Sequence, residues 1–151
     1  MIQLNLPHFE FKIKKEEEKL LILDTQRKKF VKLTPEEWVR QNFIHYLMSE
    51  KNYPAALIAI EKELKINGMR KRCDAVVYNL DAEPIMIIEF KAPEVNINQK
   101  VFDQVAVYNT KLKVEYLIVS NGLQHYSCRI NLENAKYDFF VDVPTYSELI
   151  R

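Results

Sequence analysis

The sequence predicts an α/β sandwich: a mixed five-stranded sheet flanked by helices, with a β-rich arm ahead of it. Three observations predict this. Ile85-Met86-Ile87-Ile88 is an unbroken apolar run, the pattern of a strand buried on both faces. Apolar residues recur at helical spacing in two segments, one starting at Thr34 and one over 97–112. Asn67-Gly68 and Asn121-Gly122 are hairpin signals, the second read as a type I′ turn, each placed between β-rich runs.

Residues 1–33 form the arm. Phe9, Phe11 and Ile13 alternate with polar residues as in a half-buried strand, and Leu20 to Leu23 and Phe30-Val31 read as further short strands. The charged run Lys14 to Lys19 reads as a solvated turn. From residue 34 onward the chain reads as one domain without repeats or linkers. Thr34-Pro35-Glu36-Glu37 opens a helix, with Thr34 as N-cap, Pro35 in the first turn and Glu37 completing a capping box. Val39, Phe43, Tyr46, Leu47 and Glu50 share one face, expected to be core at its apolar positions. Ala56 to Ile66 and Met69 to Tyr78 follow as strands around Asn67-Gly68. The strand ending at Lys91 comes next, then the helix over 97–112, with Val101, Val105, Tyr108 and Leu112 on one face. A crossover of this kind makes the strand at 115–120 parallel to the one ending at Lys91. Leu123 to Ile130 returns antiparallel, Lys136 to Val143 is a candidate edge strand, and a short tail follows.

The chemistry concentrates where the apolar run ends, at Glu89-Phe90-Lys91. Alternation along a strand puts Glu89 and Lys91 on one side and Phe90 on the other, with Lys91 roughly 6.6 Å beyond Glu89. If Asn79 and Pro84 close the preceding turn, Asp74 stands opposite Glu89, their Cβ atoms about 4.5–5.5 Å apart. Two carboxylates that close repel unless a cation or a proton lies between them. Two oxygen donors and an ammonium suit a divalent metal with an activated water beside it. The inference depends on register, because a slip of one residue moves Asp74 to the other face. Arg70, Lys71 and Arg72 lie beside Asp74, where an anionic substrate would be held. Glu37 has two readings, a helix cap or a member of the site. Tyr108 reads as packed on spacing alone, one turn from Gln104.

Composition sets bounds. The chain has 151 residues and a formal net charge of +1, so any nucleic-acid contact must come from local patches. Two glycines exclude a glycine-rich phosphate loop. Cys73 and Cys128 suggest reduced thiols, and the three histidines lack zinc-site spacing. No apolar run is long enough to span a bilayer and no signal peptide is visible, so the expected location is cytoplasmic.

Asp74 followed by Glu89-Phe90-Lys91 resembles the PD-(D/E)xK nuclease motif, with Cys73 where the motif has proline. The chain from about residue 30 to 145 resembles the N-terminal nuclease domain of type I restriction enzyme R subunits. Thr34 to Gln41, Arg72 to Tyr78, Ile88 to Pro93 and the Gln104/Tyr108 pair carry the likeness. The resemblance implies a restriction-endonuclease-like core and DNA phosphodiester hydrolysis with Mg²⁺, Mn²⁺ serving as substitute. It implies that Asp74, Glu89 and the Phe90 carbonyl hold the ion, that Lys91 orients or activates water, and that Glu37 assists. Gln104, Tyr108, Arg70 and Arg72 would contact or position DNA. R subunits continue into a helicase-like motor that these residues lack, so the expected partners beside DNA are a second copy or separately encoded restriction or helicase subunits. Two rival readings remain: a nuclease-like fold that binds nucleic acid or a partner without cutting, and a structural ion-pair cluster.

Overall fold

The computed structural model describes residues 1–131, 133–134 and 136–151. Among these residues nine strands and three α-helices follow in the order β1 (Ile13–Glu16), β2 (Lys19–Asp24), β3 (Lys29–Lys32), α1 (Pro35–Glu50), β4 (Ile58–Ile66), β5 (Met69–Tyr78), β6 (Pro84–Phe90), α2 (Gln99–Leu112), β7 (Tyr116–Ser120), β8 (His125–Asn131), β9 (Lys136–Phe139) and α3 (Tyr146–Leu149), with a 3₁₀ turn at Ala55–Leu57. Strands β4 to β9 form one sheet in sequence order, and β1 to β3 form a separate antiparallel sheet. The main sheet is therefore six-stranded. The candidate edge strand is real, but it stops at Phe139.

The expected parallel pair is present: β6 and β7 run parallel, joined through α2. An apolar core lies on each side of the sheet. On one side Val39, Phe43 and Leu47 of α1 meet Ala75, Val77, Met86, Ile88 and Phe90. On the other, Val101, Val105 and Tyr108 of α2 meet Cys73, Val76, Ile87, Leu117 and Val119. Burial of β6 on both faces is what the unbroken Ile85–Ile88 run required.

Several local expectations change. β1 occupies part of the charged run, and only Glu17 and Glu18, both at positive φ, form the turn. The charged run looks like a loop in sequence because β1 is solvated, all four of its residues being exposed, and carries no apolar residue after Ile13. Phe9 and Phe11 belong to no strand; they lie against α1, with Phe11 edge-on to Trp38 and His45. Thr34 Oγ1 accepts the Glu37 N–H at 3.0 Å, but the Glu37 carboxylate turns to arginines, so only half of the capping box forms. At Asn121-Gly122 only Gly122 has positive φ, and a four-residue connection, 121–124, joins Ser120 to His125, so this is not a type I′ turn. The tail folds as α3, with Tyr146 and Leu149 buried and the Tyr146 hydroxyl donating to the Tyr78 carbonyl at 2.8 Å.

The N-terminal segment is strapped to this frame. Asn5 N–H donates to the Gly122 carbonyl and the Asn5 carbonyl lies 2.8 Å from His125 Nε2. A carbonyl only accepts, so His125 carries its proton on Nε2 and its Nδ1 accepts from Ser120 Oγ at 2.7 Å. Leu4 packs so close to Gly122 that a Cβ there would lie 2.7 Å from a Leu4 methyl.

Candidate active site

The turn between β5 and β6 closes one residue tighter than the sequence reading assumed. Tyr78 pairs with Pro84, the Asn79 N–H donates to the Glu83 carbonyl, and Ala82 takes positive φ. A register shift between Val77 and Tyr78 then restores the expected alignment, with Val77 opposite Met86 and Ala75 opposite Ile88. One step further, Asp74 stands opposite Glu89. The bulge takes up the one-residue difference made by the tighter turn.

Phe90 lies in the α1-side core, so Glu89 and Lys91 fall on the α2 side. Asp74 Oδ2 accepts the Phe90 N–H at 2.7 Å. Glu89 is 4% exposed, and its Oε2 is buried without a hydrogen-bond partner. Burial, reinforced by the neighbouring Asp74 carboxylate, pushes the Glu89 carboxyl well above the ordinary carboxylate range; Lys91 opposes the shift. Lys91 Nζ donates to Gln104 Oε1 at 3.2 Å, and Gln104 Nε2 lies 3.4 Å from the Tyr108 hydroxyl. Asp74, Glu89, Lys91, Gln104 and Tyr108 therefore come together at one rim.

Glu37 does not join them. Its carboxylate accepts from Arg27 Nη2 at 2.9 Å, from Arg40 Nε at 3.2 Å and from Gln41 Nε2 at 2.9 Å. Its neighbour Glu36 faces the rim instead. Partial desolvation and then the charge of Asp74 raise the Glu36 carboxyl, while Arg40 and Lys91 lower it. One helical position is about 100° of rotation, enough to send adjacent carboxylates to different places. Arg70 and Arg72 sit on the exposed end of the β4–β5 hairpin, 3.6 Å from Glu63 and 3.7 Å from Glu61 respectively.

The sequence reading missed Glu61. It lies opposite Asp74, and both are absent from an otherwise continuous β4–β5 ladder. Glu61 has φ of 55°, a strained conformation for a residue with a side chain. Ile58 and Ala75 before this point pack on the α1 side, while Leu64 and Cys73 after it pack on the α2 side. Both strands thus exchange faces at Glu61 and Asp74. The Glu61 carboxylate reaches Arg27 at 3.1 Å and Arg40 at 3.5 Å, and Asp24 binds Arg27 from the other side. The tight Asn67-Gly68 turn was the available signal, because it fixes the register that sets Glu61 against Asp74.

Among the described residues no three His, Cys, Asp or Glu side chains gather as a metal cluster. The donor set is instead two carboxylates, one carrying an orphaned buried oxygen, with strand-end backbone beside them. Hard oxygen donors, one of them a buried carboxyl that keeps its proton beside Asp74, fit a small divalent cation that can take the proton's place.

Comparison with known proteins identifies the family and the fold. The family described as type I restriction enzyme R protein N terminus matches residues 35–144. A fragment of a putative HsdR subunit of a type I restriction enzyme from Vibrio vulnificus YJ016 superposes with a TM-score of 0.60 at 17% identity, covering 78% of this chain and 25% of that one. The chain thus spans about a quarter of that fragment's length. A putative nuclease of the DUF820 group from Anabaena variabilis superposes with a TM-score of 0.50 at 12% identity, covering 96% of this chain and 87% of that one. No curated protein matches the chain. Among the described residues, no helix is long and apolar enough to cross a membrane.

Proposed function

The chain belongs to the type I restriction enzyme R protein N-terminal family, and from that premise we propose that it hydrolyses DNA phosphodiester bonds with a divalent cation, Mg²⁺ or Mn²⁺, held by Asp74, Glu89 and the Phe90 carbonyl. The observation that carries the reading is the buried Glu89 Oε2, which has no partner although Asp74 stands beside it. Two carboxylates this close repel, a penalty that the raised Glu89 carboxyl meets by keeping its proton. A cation bound by both groups removes that penalty.

When bound, the ion stabilises charge on the phosphate and makes a bound water more acidic. The chain's own residues supply the rest. The Phe90 N–H fixes one oxygen of Asp74, which leaves the other free to bind. Lys91 presents its ammonium where negative charge grows on the phosphate, and it orients the attacking water. Gln104 holds Lys91 in that position and is itself steadied by Tyr108. Glu36 adds a further negative group at the rim, the role first expected of Glu37. Arg70 and Arg72, both exposed, bind the flanking phosphates.

The test is a pair of measurements on one preparation. Calorimetric titration with Mn²⁺ should show binding to the wild type and none to Glu89→Gln, and a plasmid substrate should be nicked only by the wild type. Equal cation binding by both proteins would remove Glu89 from the site.

A further inference from the structure

The main sheet accounts for the proposed chemistry but leaves the arm without a task. Residues 1–33 hold eight Lys and Arg against five Asp and Glu, while residues 34–151 hold fourteen against sixteen. The arm is therefore positive and the remainder slightly negative, although the whole chain is near neutral.

Register places much of that charge on one face. Lys14 opposes Leu21, and Leu21 opposes Lys32, so these three residues cross β1, β2 and β3 in a single row. In the next row Leu23 opposes Phe30, and the Leu23 N–H donates to the Lys12 carbonyl. Lys12, Lys14, Lys19, Lys32 and Phe30 are all exposed. Lys14 Nζ lies 4.2 Å from the centre of the Phe30 ring, which holds that ammonium in place. The opposite face carries Ile22 and Asp24, both buried.

The sheet is also fixed relative to the catalytic rim. Arg27, in the β2–β3 turn, binds Glu37 at the start of α1 and Glu61 opposite Asp74. Gln26 Nε2 donates to the Ala55 carbonyl at 2.8 Å, just ahead of β4. A ligand held on the outer face is thereby held in a set relation to the strands that carry Asp74.

We propose that the outer face of the β1–β3 sheet, centred on Lys12, Lys14, Lys32 and Phe30, is a docking platform for the phosphate backbone of duplex DNA. The inference rests on the nuclease reading for its choice of polyanion. Lys12 and Lys14 are about 6.8 Å apart at 3.4 Å per residue, close to the spacing of successive phosphates on one strand. Lys14 and Lys32 flank β2 at about 9.5 Å, two strand spacings. Half-buried Leu21 and Leu23 form the floor between them, and the exposed Phe30 ring is covered by the Lys14 ammonium and does not project as a lipid-inserting side chain would. Glu16 pairs with Lys14 at 3.3 Å, and with the Glu17-Glu18 turn it bounds the platform on one side.

The test measures binding to a short random-sequence duplex by fluorescence anisotropy, in the full chain carrying Glu89→Gln so that no cutting occurs. Lys14→Thr/Lys32→Thr should weaken binding about tenfold, and should reduce the slope of log K against log salt by about 2, at 0.9 per phosphate. Glu16→Gln should strengthen binding. Matched melting curves check that the exposed substitutions leave the fold intact. Unchanged affinity and slope in the double variant, no duplex binding by the parent, or loss of binding to anionic vesicles rather than DNA would each overturn the platform. Platform and chemistry fail separately. A wild type that cuts while the lysine variants bind normally refutes the platform. A wild type that binds through these lysines and never cuts with Mg²⁺ or Mn²⁺ refutes the nuclease reading. In a cutting enzyme the same variants should raise KM and leave kcat unchanged.

Discussion

Two buried groups of carboxylates stand side by side at the start of α1. In one, Asp24, Glu37 and Glu61 are matched by Arg27 and Arg40, with Gln41 and Arg72 at its margins. In the other, Asp74 and Glu89 face each other with a buried oxygen unsatisfied. Residue types alone do not separate them, since both combine acids with bases on neighbouring elements. The difference lies in completeness. A charge cluster whose hydrogen-bonding capacity is filled from within stabilises the fold and has nothing left to bind with. A cluster left short of cations is costly unless something from outside completes it. Glu36 and Glu37 show the contrast within one helical step, each belonging to a different group.

The largest expected effect lies in the incomplete group. Asp74→Asn or Glu89→Gln should lower cleavage by about 10³-fold or more. Metal-free thermal stability should be at or above that of the wild type, because a buried unpaired acid is removed. A large loss of stability in either variant would break the comparison, since it would show that the pair supports the fold. Next comes the complete group. Glu37→Ala removes the acid that Arg27 and Arg40 share, leaves Arg40 with only the longer contact to Glu61, and should cost about 3 kcal/mol in urea unfolding, while Mn²⁺ affinity in the folded protein stays near wild type. Glu36→Gln should do the reverse, lowering cleavage about tenfold with little change in urea midpoint. An exchange of these outcomes would place Glu37 in the site after all.

The smallest effect separates both groups from the fold's own response to acid. Burial holds His125 below its ordinary value, and its bond to the Asn5 carbonyl opposes that only in part. The unfolded chain therefore takes up the proton first as pH falls. His125 contributes stability that is present above about pH 6.5 and is lost as pH drops below it. Burial lowers His45 in the same sense. In a Glu89→Gln background, which removes the opposing gain that the raised Glu89 carboxyl brings as pH falls, the melting temperature measured from pH 8 to 5 should fall on the acid side, and His125→Gln should flatten that limb.

Much of the frame was legible in the sequence because it rests on local signals. The Thr34-Pro35 cap, the apolar run over Ile85–Ile88 and the Asn67-Gly68 turn each specify an element from adjacent residues. The Asp74–Glu89 alignment was also legible, although the turn that was thought to set it is tighter and a bulge makes up the difference. The paired group was not legible. It joins residues from the arm, α1 and β4, and nothing local marks Arg27 as the partner of Glu61. The same non-locality hid why α1 buries Arg40, Gln41 and Asn42 along with its apolar face. In sequence the helix shows apolar residues on one face, yet the arm covers part of the side that would otherwise face water.

The Asn5 strap has a consequence for synthesis. Asn5 is held by Gly122 and His125, so it has no place to settle until the β7–β8 connection has emerged. At about 5–20 residues per second, that is a wait of roughly ten seconds on the ribosome. Throughout that interval Leu4, which packs on Gly122, has apolar surface to hide. The segment around Asn5 is thus translated before the elements that hold it and placed after them, and the growing chain passes through a stage in which that segment is available to chaperones.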